Sequence, residues 1–171
     1  MAALWPAIAQ KMFLKIGDIK GESKNTRFKE WIDIKAYSLA AGTSASYQGG
    51  VISPGKVQLS DLTFTLCIDA SMNELRTAMF KGAVIGQGEF VVTTEGKDGA
   101  LPLFKMEMRD IIITSMQEGG IADANELPSV NMSIQFGKYR TLYYEVDSKT
   151  GLPTTKVFNQ SGWDRVNQVI Y

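Results

Sequence analysis

Histidine is absent from this 171-residue sequence, and cysteine occurs once, as Cys67. The first absence removes the commonest general base and the commonest zinc ligand together. The second excludes an internal disulfide and fits folding in a reducing compartment. Net charge is missing too, because 18 basic side chains balance 18 acidic ones. That argues against a chain built to coat nucleic acid, which wants a basic face. No stretch approaches the ~20 apolar residues of a spanning helix, so no membrane insertion is expected. Residues 1–11 are mildly apolar, carry no early Lys or Arg, and lack the form of a signal peptide. They are expected to be a flexible leader, on a chain made in the cytosol.

What remains is an ordinary globular composition, 44% hydrophobic and 21% charged. At this length the chain is expected to be one domain spanning residues 1–171. It can bury roughly 70% of its unfolded surface, enough to fold without covalent staples.

The patterning is mostly of period two. Residues 13–16 form a short apolar run before Gly17-Asp18. Residues 21–29 are polar and predict a loop. Over residues 30–39, Ile32, Ile34 and Ala36 share one side, with Trp31, Asp33, Lys35 and Tyr37 on the other. Residues 40–56, AAGTSASYQGGVISPGK, predict an extended loop, long for a compact domain and therefore functional or mobile. Residues 56–68 predict one strand whose parity switches at Ser60-Asp61, as a bulge or barrel corner would cause.

One helix is predicted from Ser71. Ser71-Met72-Asn73-Glu74 has the form of a capping box, and Met72, Leu75 and Met79 make one apolar stripe. Lys81 and Gly82 close it. Strands resume at residues 89–94, 101–115, 130–136 and 139–146, with turns at 96–99 and 147–153. About eight strands, one helix and no βαβ rhythm predict a mainly β fold. The expected architecture is an antiparallel β-barrel of two packed sheets with one α-helix and an extended loop.

Several motifs invite catalytic readings and fail on context. GVISPGKV at residues 50–57 resembles a phosphate-binding loop. Val57 replaces the required hydroxyl, and a strand follows where a helix should begin. Ser53-x-x-Lys56, Ser129-x-Asn131 and Lys149-Thr150-Gly151 follow the order of penicillin-interacting serine enzymes. That chemistry needs serine and lysine one helical turn apart, and Pro54-Gly55 intervenes. Cys67 has no histidine to activate it and is expected to be a buried structural thiol. Glu107 and Glu145 could act as paired carboxylates only if the fold joined them. Trp31, Tyr37, Tyr139, Tyr143 and Tyr144 divide between core, interface and a ligand-stacking surface. No catalytic residue, metal ligand or cofactor site is assigned.

Five segments in order resemble the Hcp (hemolysin-coregulated protein) family of bacterial type VI secretion systems. FLKIGDIKGES at residues 13–23 is similar to the family's start. GKVQLSDLTFTLCIDASMNELRTAMFKG at 55–82 resembles its core signature. FKMEMRDIIITSMQEGG at 104–120 is similar to its long strand and following turn. LPSVNMSIQFGKYRTLYYEVDSKTG at 127–151 resembles its paired late strands, and Gly162-Trp163-Asp164 its C-terminal Gly-Trp-Asp. The sequence departs from the pattern at Leu66-Cys67, at Met72-Asn73 and in its longer leader.

The resemblance implies a structural tube subunit, not an enzyme. Hexameric rings would stack into an inner tube driven out by a sheath, capped by a spike protein, with small effectors in the lumen. The protein would sit in the bacterial cytoplasm before firing and then be secreted without a cleaved signal. The candidate assembly residues are Gly42, Thr43, Ser44, Ser46, Tyr47, Gln48, Gly49, Gly50, Val51 and Ile52. Two other readings stay open: a phage tail-tube-like protein, and a small β-barrel module binding a sugar or hydrophobic ligand.

Overall fold

The computed structural model describes residues 10–96 and 99–170. Most of the leader and the centre of the turn at 96–99 lie outside the described residues. Ten strands and one helix follow in order: β1 (Gln10–Ile16), β2 (Ile32–Ser38), β3 (Ala41–Gln48), β4 (Val51–Leu59) and β5 (Leu62–Cys67), then α1 (Met72–Phe80). The last five are β6 (Ile85–Gly96), β7 (Gly99–Gly119), β8 (Ser129–Val146), β9 (Pro153–Asp164) and β10 (Val169–Ile170).

Six strands close a barrel. The order β8-β5-β2-β1-β6-β7 returns on itself because β7 also pairs with β8, and each pairing is antiparallel. Closure removes the exposed edges that an open sheet would leave. The second half of β8 continues outward into β9 and β10, while β3 and β4 form a separate two-stranded sheet.

Alternation fills the barrel as the sequence pattern requires. Leu62, Phe64 and Leu66 of β5 point inward, as do Val130, Met132, Ile134 and Phe136 of β8. They meet Leu14, Ile32, Phe90, Met106 and Met108 across the barrel. Phe64 and Phe90 lie tilted with centroids 5.1 Å apart. The barrel is thus a packed core, as expected for a small closed sheet.

A smaller cluster sits outside the wall. The loop after β1 folds back over it, and Phe28 stacks on Phe13 at 4.7 Å, with Trp31 edge-on to Phe28 at 5.1 Å. β1 is therefore buried on both faces, with Leu14 inside and Phe13 under the loop.

Four sequence expectations change. The extended loop at 40–56 is instead a hairpin, treated below. The single strand at 56–68 is two strands, because Ser60-Asp61 is where the chain leaves the hairpin and enters the barrel wall. β2 does not alternate throughout. One extra residue, Lys35, lies between the pairs Ile34–Leu66 and Ala36–Thr65, so Ala36 turns out to solvent and Tyr37 packs on Phe90 at 4.6 Å. Lastly, the helix is not capped by the Ser71 side chain. The Ser71 hydroxyl and amide both donate to Oδ1 of Asp69, which ties the turn before the helix instead. The stripe itself holds, with Met72 and Leu75 buried and Met79 half-buried against the core.

Candidate assembly surface

The ten candidate residues lie on the β3–β4 hairpin. Gln48 pairs with Val51, leaving a two-residue turn at Gly49 and Gly50 with φ of 61° and 83°. Two successive positive φ angles are what a tight hairpin turn needs, and glycine adopts them without a Cβ penalty. The foot is tied where the hairpin meets the barrel. The Ala40 amide donates to Ser60 Oγ at 2.9 Å, and the Ser60 amide donates to the Ala40 carbonyl at 2.8 Å. Higher up, Thr43 Oγ1 donates to the Gly55 carbonyl at 2.9 Å. Gly55 faces Ser44 so closely that a Cβ would collide with the serine hydroxyl.

Every residue of β3 is exposed, and β4 is exposed from Val51 to Lys56. Near the tip Tyr47, Ile52 and Val51 are 72%, 67% and 64% exposed, with Tyr47 paired to Ile52. An isolated two-stranded hairpin is marginal in water, and three apolar side chains at its tip gain nothing there.

Below the hairpin the outer wall carries a ladder of short polar groups. Asp61 accepts from Thr114 at 2.7 Å and Gln135 at 2.8 Å, and those two hydrogen bonds hold its carboxyl below the usual range. Thr63 meets Ser133 at 3.0 Å, and Thr65 donates to Asn131 at 2.8 Å. Further round, Arg140 holds Glu107 through Nη2 at 2.6 Å and Nε at 3.1 Å, while Lys105 reaches Glu107 at 3.2 Å and Glu89 at 3.0 Å. Burial works against the Glu107 charge, but its hydrogen bonds outweigh it and lower the pKa.

The catalytic temptations find no support in this geometry. Gly50 to Val57 is hairpin strand, not the mouth of a helix. Glu107 and Glu145 each answer a cation, Arg140 and Lys156, instead of each other. Cys67 is half-buried rather than buried. Lys35 beside it has a raised pKa, owing first to its contact with the thiol and next to Glu126. The aromatics scatter: Tyr139 packs on Phe136 at 5.2 Å, Tyr37 on Phe90, and Trp31 on Phe28. These three therefore pack at separate places.

Residues 13–143 match the family model described as type VI secretion system effector, Hcp. The chain belongs to the Hcp family. It is 31% identical over 137 residues to protein hcp1 of Pseudomonas aeruginosa, an alignment spanning 80% of this chain and 84% of that one. Its fold matches that of a type six secretion system protein with a TM-score of 0.87 at 19% identity, over 95% of this chain and 100% of the other. Hcp1 from Salmonella typhimurium gives a TM-score of 0.76 at 21% identity, over 96% and 100% of the two chains.

Two departures from the Hcp pattern point inward. Leu66 is fully buried on β5, and Met72 is buried at the start of α1. Their neighbours in the same two departures reach the surface, with Cys67 half-buried and Asn73 exposed.

The surface that the sequence concealed is β9. Residues 155–161 are exposed, including Phe158 at 67%. β10 covers β9 only at Trp163 and Asp164. The segment TTKVFNQS carries one charged residue, and inserted residues at Phe158 and within 154–156 interrupt its pairing with β8.

Proposed function

We propose that this Hcp-family chain is a tube subunit of a type VI secretion system. It closes into hexameric rings, the rings stack into an inner tube, and the hairpin residues Gly42 to Ile52 make contacts between copies. The observation that carries this reading is the β3–β4 hairpin. It is wholly exposed along β3 and apolar at its tip, and it belongs to a sheet of its own. A barrel already closed and filled gains little from such an arm unless another copy receives it. Family membership gives that arm its context.

In this reading the sheath drives the tube outward, the spike protein caps it, and small effectors travel in the lumen. The chain works in the bacterial cytoplasm and is then expelled without a cleaved signal. Its role is assembly and transport, with no catalytic step and no cofactor.

The test compares the full chain with a variant in which residues 43–53 are replaced by a two-residue turn. Negative-stain microscopy should show stacked rings for the first and loss of stacking for the second. Unaltered stacked tubes from the shortened chain would overturn the assigned role of the hairpin.

A further inference from the structure

We propose that residues 2–9 of this chain fold back over the start of β1 and seat the Trp5 indole in the open cavity between β1, β2 and the loop at 23–25. The contact lies within one subunit, so it goes beyond the assembly reading and stands or falls apart from it.

The cavity, of about 550 Å³, is lined by residues 10–13 of β1, by 23–25 of the loop, and by Asp33 and Ile34 of β2. It exists because the two neighbours of β1 differ in length. β6 pairs with β1 from Gln10 to Ile16, but β2 pairs with it only from Met12 to Leu14. Beyond Ile34 the extra residue Lys35 lets β2 follow β5 instead. Gln10 and Lys11 therefore have a strand on one side and a gap on the other. The lining is mixed, with Phe13, Ile34 and Ser23 buried and Met12 half-buried. Its volume falls in the range of cavities that hold small organic groups.

The chain itself supplies an occupant. Residues 1–9 read MAALWPAIA, without a charged side chain. They join the described fold at Gln10, which is part of the cavity lining, so no linker separates the two. An indole buries about 150–250 Å², more than any other side chain of that segment, and its N–H wants an acceptor. The lining offers the Asp33 carboxylate and the Asn25 side-chain carbonyl. The latter already accepts from the Arg27 amide at 3.0 Å and keeps a second lone pair. Pro6 biases the preceding Trp5 to extended backbone, which suits a segment laid along a strand.

Reach decides between this cavity and the apolar groove at Ile19, Ala78 and Ala83 beside α1. The steps from Gln10 back to Trp5 span at most about 17 Å. Reversing direction spends about two of those residues on a turn, which leaves roughly 10 Å of run along β1. That is the length of β1 from Gln10 to Phe13, about 10 Å. The groove lies farther off, because Ile19 bridges back to Ile16, the last residue of β1. From Gln10 to Ile16 the strand runs roughly 20 Å.

Amide hydrogen exchange tests this by comparing the full chain with Trp5→Ala and with a variant lacking residues 2–8. Amides in 10–13 and 23–25 should exchange roughly tenfold faster or more in both variants, while those of β5 and β8 stay as they are. Equal exchange at 10–13 and 23–25 in all three proteins would overturn the docking. Faster exchange in the shortened chain alone would overturn the choice of Trp5 as the anchor.

Cross-linking in the full chain, with Cys67→Ser as background, gives a second readout. Ala7→Cys is combined with Lys24→Cys at the cavity or with Lys81→Cys beside α1. Mild oxidation should turn the Lys24→Cys pair into a faster-migrating monomer on a non-reducing gel and leave the Lys81→Cys pair unlinked. Equal linking at both places means that the segment has no fixed seat and overturns the docking. A ladder of covalent multimers from the Lys24→Cys pair places the segment on a neighbouring copy and overturns the contact within one subunit.

Discussion

Asp110 and Gly137 face each other across the β7–β8 ladder, between the pairs Arg109–Lys138 and Ile111–Phe136. Asp110 has φ of 55°, and a Cβ built on Gly137 would lie 3.2 Å from the Asp110 side chain. The inward parity of both strands changes here. Met106 and Met108 give way to Ile111 and Ile113 on β7, and Phe136 gives way to Tyr139 on β8. This is a paired kink at which two long strands turn with the barrel wall.

The kink predicts unequal tolerance. Asp110→Asn keeps a residue that accepts left-handed backbone, and stability should hardly move. Asp110→Val puts a β-branched residue there and should cost about 1–3 kcal/mol. Gly137→Val should cost a similar amount by crowding Asp110, roughly 1–3 kcal/mol. Urea unfolding of the variants checks the order.

Core substitutions should separate the two apolar clusters. Phe64→Ala empties the middle of the barrel and should destabilise by about 3–5 kcal/mol. Phe28→Ala removes the lid over Phe13 but leaves the barrel interior filled, so part of the site can collapse or hydrate. Its cost should be smaller, on the order of 2 kcal/mol. Denaturation midpoints of the two variants, measured under one set of conditions, would reverse if the outer cluster were the main core.

Acid should loosen the β8–β9 junction. Asp164 is buried, accepts from the amides of Val166 and Asn167 at 2.9 Å and 3.0 Å, and is met by Lys138 at 2.9 Å. The Asn167 amide above all, then Lys138, hold its carboxyl far below its ordinary value of 3.8. A lowered folded-state pKa means that the unfolded chain binds the proton first as pH falls. The stability that Asp164 contributes is therefore complete above the unfolded value and is lost below it, down through the folded pKa. Asp33 runs the other way. Burial raises its pKa, so protonating it favours the folded state and offsets part of the loss. Asp164→Asn should flatten the fall in melting temperature between pH 5 and pH 2, at roughly these limits of carboxylate titration. An unchanged slope would remove Asp164 from this role.

The fold was legible where side chains alternate against one core. β5 and the first half of β8 show their inward residues directly, and the helix shows its stripe. The hairpin was not legible, because β3 is small and polar and buries nothing, so no period-two signal marks it. Gly49-Gly50 was the available clue, being a two-residue turn between segments of eight and nine residues. At Lys35 and at Asp110, pairing between distant strands decides the parity, which local pattern cannot reveal. The assembly residues were placed by loop length together with family resemblance, whereas the β9 edge emerges only when the strand order is known.

Native mass spectrometry of the purified full chain tests assembly most directly. The expected result is a species of six times the 18.8 kDa chain mass, persisting on dilution and accompanied by ring images. A chain that remains at one subunit mass at high concentration, with no rings, would contradict it.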